Sequence, residues 1–193
     1  MPESFEQYSD EKLMLMYSKQ KDINNLGAFE VLYQRHKGPL FRFIKKSITH
    51  EQDTKDIFQE LWFRIINHKH SYDHKQKFTT WAYTIARRLL IDQFRHTGRL
   101  AELNRLEPTP DDLAPEKNLH QPENEFETKL MAKELNNAIS LLPFKQRQTF
   151  VMKHESGLTL KEIATITSQP VEQTKSQYRY AVQKIKMALE RFQ

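Results

Sequence analysis

The stretch "FTTWAYTIARRLLIDQFRH", residues 78–96, sets Phe78, Trp81, Tyr83 and Phe94 among Arg87, Arg88 and Arg95. Aromatic rings beside guanidinium groups can stack on unpaired bases and grip phosphates, each stack being worth roughly 1–3 kcal/mol. On a helix turning about 100° per residue, Phe78, Ala82, Ile85 and Leu89 make one core-facing stripe. Trp81, Tyr83, Arg87, Arg88, Phe94 and Arg95 fall outside it, so either a second protein layer or something anionic and planar must cover them. The preceding loop, "NHKHSYDHKQK" at 67–77, adds Tyr72, Lys75 and Lys77. Core packing accounts for Phe78 and Trp81 at least as well as stacking does; for Tyr72, Lys75, Lys77, Arg87 and Arg88 nucleic acid is the better account. His68, His70 and His74 have neither a ligand-fixing helical spacing nor an added carboxylate cluster, so they are read as polar loop residues, with no metal or other cofactor expected.

A second constellation is "GLTLKEIATITSQPVEQTKSQYRYAVQKIKMAL", residues 157–189. Leu160, Ile163, Ala164 and Ile166 mark a short helix, "TSQP" a turn, and Pro170 or Val171 the start of a longer helix with a buried row of Val171, Thr174, Tyr178, Ala181, Ile185 and Leu189. The small Ala164 lets the two helices cross closely. The opposite face of the second helix carries Glu172, Gln173, Lys175, Ser176, Gln177 and Arg179, a donor and acceptor mixture suited to base edges and phosphates in a major groove. This is a helix-turn-helix pattern; an amphipathic hairpin with a solvated polar face is the plainer alternative.

The third is "DIFQELWFRI", residues 56–65. Ile57, Leu61 and Ile65 share one side of a helix, while Asp56, Gln59, Glu60 and Phe63 share the other. A phenyl ring standing among carboxylates and an amide is either an anchor for a basic or donor-rich partner or a packing residue within a small bundle.

Long runs of Lys, Glu, Gln, Leu and Ala with only 4 Gly residues in 193 predict an all-α protein. Helices are expected at about 9–20, 25–36, 39–48, 50–68 and 78–96, with Thr49-His-Glu-Gln52 as a capping box for the fourth. Others are expected at about 125–140 and at about 143–155, the latter begun by Pro143, before the helix-turn-helix pair. Residues 97–127 carry Pro108, Pro110, Pro115 and Pro122 and read as a semi-extended linker between two small domains. Charge follows this division. Residues 1–96 hold 16 Lys/Arg against 12 Asp/Glu, residues 97–127 hold 3 against 8, and residues 128–193 hold 11 against 5. Two basic units joined by an acidic strap imply two contacts with a polyanion, held apart by a segment it repels. The absence of cysteine excludes disulfides and thiolate chemistry. No leader or bilayer-length apolar run is seen, so a cytoplasmic protein without membrane insertion is expected.

These segments together resemble the sigma-70 family of bacterial RNA polymerase initiation factors, specifically the small two-domain extracytoplasmic-function (ECF) type. "DIFQELW" is similar to the family's Asp-x-x-Gln-Glu-x-aromatic segment, residues 78–96 to its Trp-x-x-x-Ile-Ala-Arg helix ending in Ile-Asp-x-x-Arg, and "LPFKQRQTFVMKHESGLTLKEIATITSQPVEQTKS" to its C-terminal DNA-binding region. The resemblance implies that residues 1–96 are sigma region 2 and residues 128–193 sigma region 4. Asp56, Gln59, Glu60 and Phe63 would clamp the coiled coil of the polymerase β′ subunit, with contacts to β as well. Tyr72, Lys75, Lys77, Thr80, Trp81, Tyr83, Thr84, Arg87, Arg88 and Arg95 would recognise the −10 element and its displaced strand. Thr159, Glu172, Gln173, Lys175, Ser176, Gln177 and Arg179 would read the −35 element, and residues 97–127 would cross the polymerase near its active-site channel. An anti-sigma factor and a stress or envelope regulon are further implications.

Arg88 replaces the family's usual Asn, Glu172 its Gly, and Gln177 a common Arg, which bears on promoter sequence. Thr84 and Ile85 stand where primary members carry a Trp pair, implying weaker strand melting. The competing reading is a stand-alone helix-turn-helix regulator, which leaves the Phe63 face unexplained. An enzyme is disfavoured, because no nucleophile grouping, glycine-rich phosphate cradle or metal cluster has a usable spacing.

Overall fold

A computed structural model describes residues 5–19, 26–48, 51–98 and 124–190, with side chains from residue 130 onward in the last of these segments. The described residues are helical, with no strand among them. α1 (Asp10–Ser18) starts at Ser9, whose hydroxyl accepts from the Lys12 amide at 3.3 Å, and its first turn carries Asp10 and Glu11 where the helix dipole favours acids. Its Leu13, Met14 and Tyr17 are buried against α2 (Leu26–Ser47).

α2 corrects the sequence expectation of two helices with a break near residue 38. Pro39 lies inside it, without an amide to donate to Arg35 and with its ring crowding that carbonyl, a cost of about 3 kcal/mol. Leu32 before the proline and Leu40, Phe43 and Ile44 after it all enter one core, and burying side chains of this size is worth about 1.5–3 kcal/mol each, so continuity prevails. α3 (Glu51–Asn67) buries Ile57, Leu61 and Ile65 as expected, with Trp62 added. The proposed cap at Thr49 lies outside the described residues. A 3-10 turn at Lys69–Ser71 leads to α4 (Phe78–His96), which packs against α3 and closes the first bundle.

The second unit begins with α5 (Asn124–Leu141), matching the helix expected at about 125–140 and overlapping the last residues of the expected linker; residues 99–123 lie outside the described ones. α6 (Phe144–Ser156) follows Pro143, which sits at the N-cap one position before the helix. Gly157, at φ 63°, ends α6 in the left-handed conformation that glycine adopts without strain. α7 (Leu160–Thr167) and α8 (Val171–Leu189) form the expected pair, with Ile163, Ala164 and Ile166 facing Thr174, Ala181 and Ile185 in the core. Val171, Tyr178 and Leu189 of the expected row are only half-buried. The turn between them places Ser168 at φ 54°, while the Gln169 amide reaches back to the Ala164 carbonyl at 3.0 Å, closing the helix end.

The two units pack directly on each other, α6 against α2 and α7 against α4. They are not held apart, as the charge pattern alone implied. Acidic side chains of the second unit meet basic ones of the first, and that pairing removes the repulsion expected between two basic domains.

Candidate nucleic-acid interface

α3 divides as its sequence predicts. Ile57, Leu61 and Ile65 fill the core, and the reverse face leaves Asp56 and Gln59 exposed and Phe63 61% exposed. Glu60 is half-buried and receives Arg64 Nε at 2.7 Å; Asp56 accepts from Gln52 at 2.9 Å. Beside this face a groove between α3 and α4 is lined by Asp56, Ile57, Glu60, Leu89, Asp92, Gln93 and His96. An exposed phenyl ring at an acidic groove suits a basic partner surface, because the ring desolvates on docking while the carboxylates find donors.

The α4 helix resolves the question posed by its composition. Phe78, Ala82 and Leu89 are buried as the stripe predicts, and Ile85 is half-buried. A second protein layer covers two of the side chains outside the stripe. Tyr83 packs on Phe43 with ring centroids 5.1 Å apart and receives a hydrogen bond from Ser156 across the boundary between the units. Burial pushes its phenol up to about 12, the Ser156 hydroxyl opposing that rise and Glu155 adding to it. Phe94 meets Phe144 edge to face at 5.0 Å. Arg88 and Arg95 remain exposed, Trp81 half-buried. Arg87 is half-buried, its Nε has no hydrogen-bond partner among the described residues, and burial draws its pKa down.

Three residues expected to touch the −10 element are therefore interior in this arrangement. Tyr72 packs on Trp81 at 5.1 Å and donates to the Gln76 carbonyl; Thr80 lies beneath the helix surface; Tyr83 is covered by the second unit. Their aromatic and hydroxyl character serves the bundle, and sequence periodicity missed this because the covering residues belong to other elements. Thr84, half-buried, donates to the Thr80 carbonyl at 2.7 Å. Lys75 and Lys77 are exposed, but Lys77 Nζ lies 2.6 Å from Glu162 of α7.

On α8, Glu172, Gln173, Lys175 and Arg179 are exposed, and Ser176 and Gln177 half-buried. Lys175 pairs with Glu172 at 2.7 Å, and Arg179 Nη2 is 3.5 Å from Ser176 Oγ. Gln177 is turned inward, accepting from Thr149 of α6 at 3.2 Å. Exposed Thr159 caps α7. Its hydroxyl accepts from the Glu162 amide, while the Glu162 carboxylate takes the Thr159 amide at 2.7 Å, a reciprocal capping box.

Sequence reasoning missed the groups that join the units. Glu155 receives both Arg42 Nε and Lys46 Nζ, Glu162 receives Lys77, and Arg147 Nη2 donates to the Ser47 carbonyl at 3.2 Å. The Thr-x-x-Glu spacing at 159–162 was a signal for the cap; no local pattern announces Glu155, whose partners lie more than 100 residues away. Among the described residues no three His, Asp or Glu side chains gather as metal ligands, and no helix is long and apolar enough to cross a membrane.

Comparison with known proteins bears on the same segments. Residues 32–100 match the family model for sigma-70 region 2 and residues 132–185 that for sigma-70 region 4. The chain is 26% identical over 144 residues to the ECF RNA polymerase sigma factor SigX of Bacillus subtilis, covering 71% of each chain. It is 27% identical over 162 residues to SigW of the same organism, 82% of this chain and 87% of that one. With RpoE of Cereibacter sphaeroides it shares 26% over 169 residues, 86% and 88%. Among solved structures, CnrH in complex with the cytosolic domain of CnrY has a TM-score of 0.66 at 17% identity, covering 94% of this chain and 97% of that one. The sigma factor RpoE in complex with the anti-sigma factor NepR from Bartonella quintana has a TM-score of 0.65 at 18%, covering 84% and 96%. The two region models in order, on two packed helical units ending in a helix-turn-helix, place this chain in the sigma-70 family of RNA polymerase initiation factors, in its ECF branch.

Proposed function

We propose that this initiation factor divides its work as its two units suggest: residues 1–96 bind core polymerase and the −10 element, residues 128–193 read the −35 element, and residues 97–127 connect them. The observation that carries the polymerase assignment is Phe63, 61% exposed on the helix whose opposite side fills the core. With Asp56, Gln59 and Glu60 it forms the docking face for the β′ coiled coil. Arg88, Arg95, Lys75 and Lys77, with Trp81 and Arg87 at the edge, take the −10 strand. Gln173, Lys175 and Arg179 face the −35 groove.

Promoter engagement then requires the units to separate. Elements about 25 base pairs apart lie about 85 Å apart along B-form DNA, whereas α4 and α7 touch here. Residues 97–123, ahead of α5, would reach roughly 90 Å if fully extended. Tyr83 and Lys77 would be released in that step. The co-crystal structure of the sigma factor RpoE with the anti-sigma factor NepR supports an anti-sigma partner for this chain as well. In this reading the protein works in the cytoplasm, serves a stress or envelope regulon, and is not an enzyme; its chemistry is recognition.

Run-off transcription with purified core polymerase tests the assignment. The expected result is initiation that needs this protein and is lost when either promoter element is scrambled. A specific nanomolar complex with duplex DNA in the absence of polymerase, without promoter-dependent initiation, would support the stand-alone regulator instead.

A further inference from the structure

α4 begins without a cap of its own. Lys77 stands at its N-cap and offers no side-chain acceptor to the first turn. The acceptor comes from 67 residues earlier: Glu11 Oε1 takes the Phe78 amide at 3.3 Å. Glu11 is fixed by its neighbours on α1. Asp10 is held on α2 by Arg35 Nη1 at 2.8 Å and His36 Nε2 at 2.6 Å, and Arg35 also donates to the Tyr8 and Glu6 carbonyls. The His36 ring in turn lies 5.0 Å from the Phe78 ring. A second tie runs from the loop itself, where Lys69 Nζ sits 4.4 Å above the Tyr17 ring of α1. Tyr72, between these ties, packs on Phe78 and Trp81. The loop from 68 to 77 is thus anchored at both ends by α1, an element that carries none of the expected DNA contacts.

We propose that Glu11 is a positioning residue for promoter recognition: by capping α4 from α1 it presets the loop and first turn that meet the −10 element, and so sets how sharply that element is discriminated. This rests on the −10 assignment of the loop. Without the cap, the first turn of α4 and the loop feeding it sample more conformations, and a correct base gains less over an incorrect one because ordering must then accompany binding.

The test uses holoenzyme reconstituted from full-length protein and core polymerase, on a promoter selected by the parent holoenzyme from a duplex library and on copies with one −10 base pair changed. Open complexes are read by 2-aminopurine fluorescence. E11Q keeps the reach and a carbonyl acceptor; E11D keeps the charge and draws the acceptor back by one methylene. The expected result is near-parental discrimination in E11Q and a loss of about fivefold in E11D and E11A, the size of one helix cap, with core affinity unchanged in all three. A role in charge or bulk stability alone would rank E11D above E11Q, and that order overturns the proposal. R88A separates the two layers through overall promoter affinity rather than discrimination: parental discrimination in E11D and E11A with weaker promoter binding in R88A overturns the positioning role alone, whereas parental promoter binding in R88A as well overturns the −10 assignment and the proposal with it.

Discussion

Glu162 Oε1 lies 2.6 Å from Lys77 Nζ, so the carboxylate that completes the capping box of α7 also holds the residue at the head of α4. One side chain thus serves the helix-turn-helix and the contact between the two units. Lys77 is a cation that the −10 strand would need, and Glu162 occupies it in the closed arrangement much as a phosphate would.

Substitutions at Glu162 separate these duties. E162A removes both the cap and the ion pair, and urea unfolding should show a loss of about 1 kcal/mol. E162Q keeps an acceptor for the Thr159 amide but loses the charge, so it should lose less stability than E162A while small-angle scattering reports a larger radius. Equal effects of the two on both measurements would contradict the division.

Acid should loosen the same contact. Burial alone would raise the Glu162 carboxyl, but hydrogen bonds from Lys77 and Thr159 outweigh it and hold the group at about 2 against an ordinary 4.5. Glu155 is likewise lowered, its burial outweighed by Lys46 and Arg42. A carboxylate depressed by folding binds fewer protons in the native state, so its contribution is complete above the ordinary pKa and is lost as pH falls through the native one. The share of the urea midpoint that these two carboxylates carry, read at constant ionic strength as the difference between the parent and E155Q/E162Q, should therefore hold from pH 7 to about pH 5 and shrink below that. The double variant E155Q/E162Q should give a flatter slope, and a slope equal to the parent's would locate the titrating groups elsewhere.

Ser168 offers a gain rather than a loss. It takes φ 54° at the turn between α7 and α8, a conformation that costs a non-glycine residue about 1–2 kcal/mol. S168G should raise the thermal midpoint, with a net gain of about 0.5–1 kcal/mol after the added freedom of the unfolded chain. A lower midpoint would mean that the serine makes a stabilising contact that outweighs its backbone strain.

Much of this molecule could be read from spacing. The α3 division, the helix-turn-helix with its small Ala164, and the start of α8 after Pro170 all follow from local periodicity and turn residues. Where tertiary contacts prevail, spacing fails. The sequence pattern predicts a break near residue 38, but apolar side chains on both sides of Pro39 share one core and the helix continues. Tyr83 and Phe94 look like ligand-facing aromatics until Ser156 and Phe144 are seen against them. Glu11 and Glu155 act on residues 67 or more positions away, and nothing in their neighbourhoods marks them.

The exposed arginines should behave as phosphate contacts. Arg88 projects from α4 into solvent, and R88A in the holoenzyme should weaken promoter binding and reduce the slope of log affinity against log salt by about 0.9 if one phosphate is lost. Fluorescence anisotropy across a salt series measures it. An unchanged slope would remove Arg88 from the DNA interface.

The most direct measurement is association with core RNA polymerase, followed by fluorescence anisotropy for the parent, F63A and Q59A. Phe63 is mostly exposed, so F63A should shift the protein's own stability by less than about 0.5 kcal/mol. The Phe63 face predicts tight binding that each substitution weakens by more than about 1.4 kcal/mol, a tenfold change. Tight binding that is indifferent to both substitutions would move the polymerase contact off α3 and contradict the reading of this face.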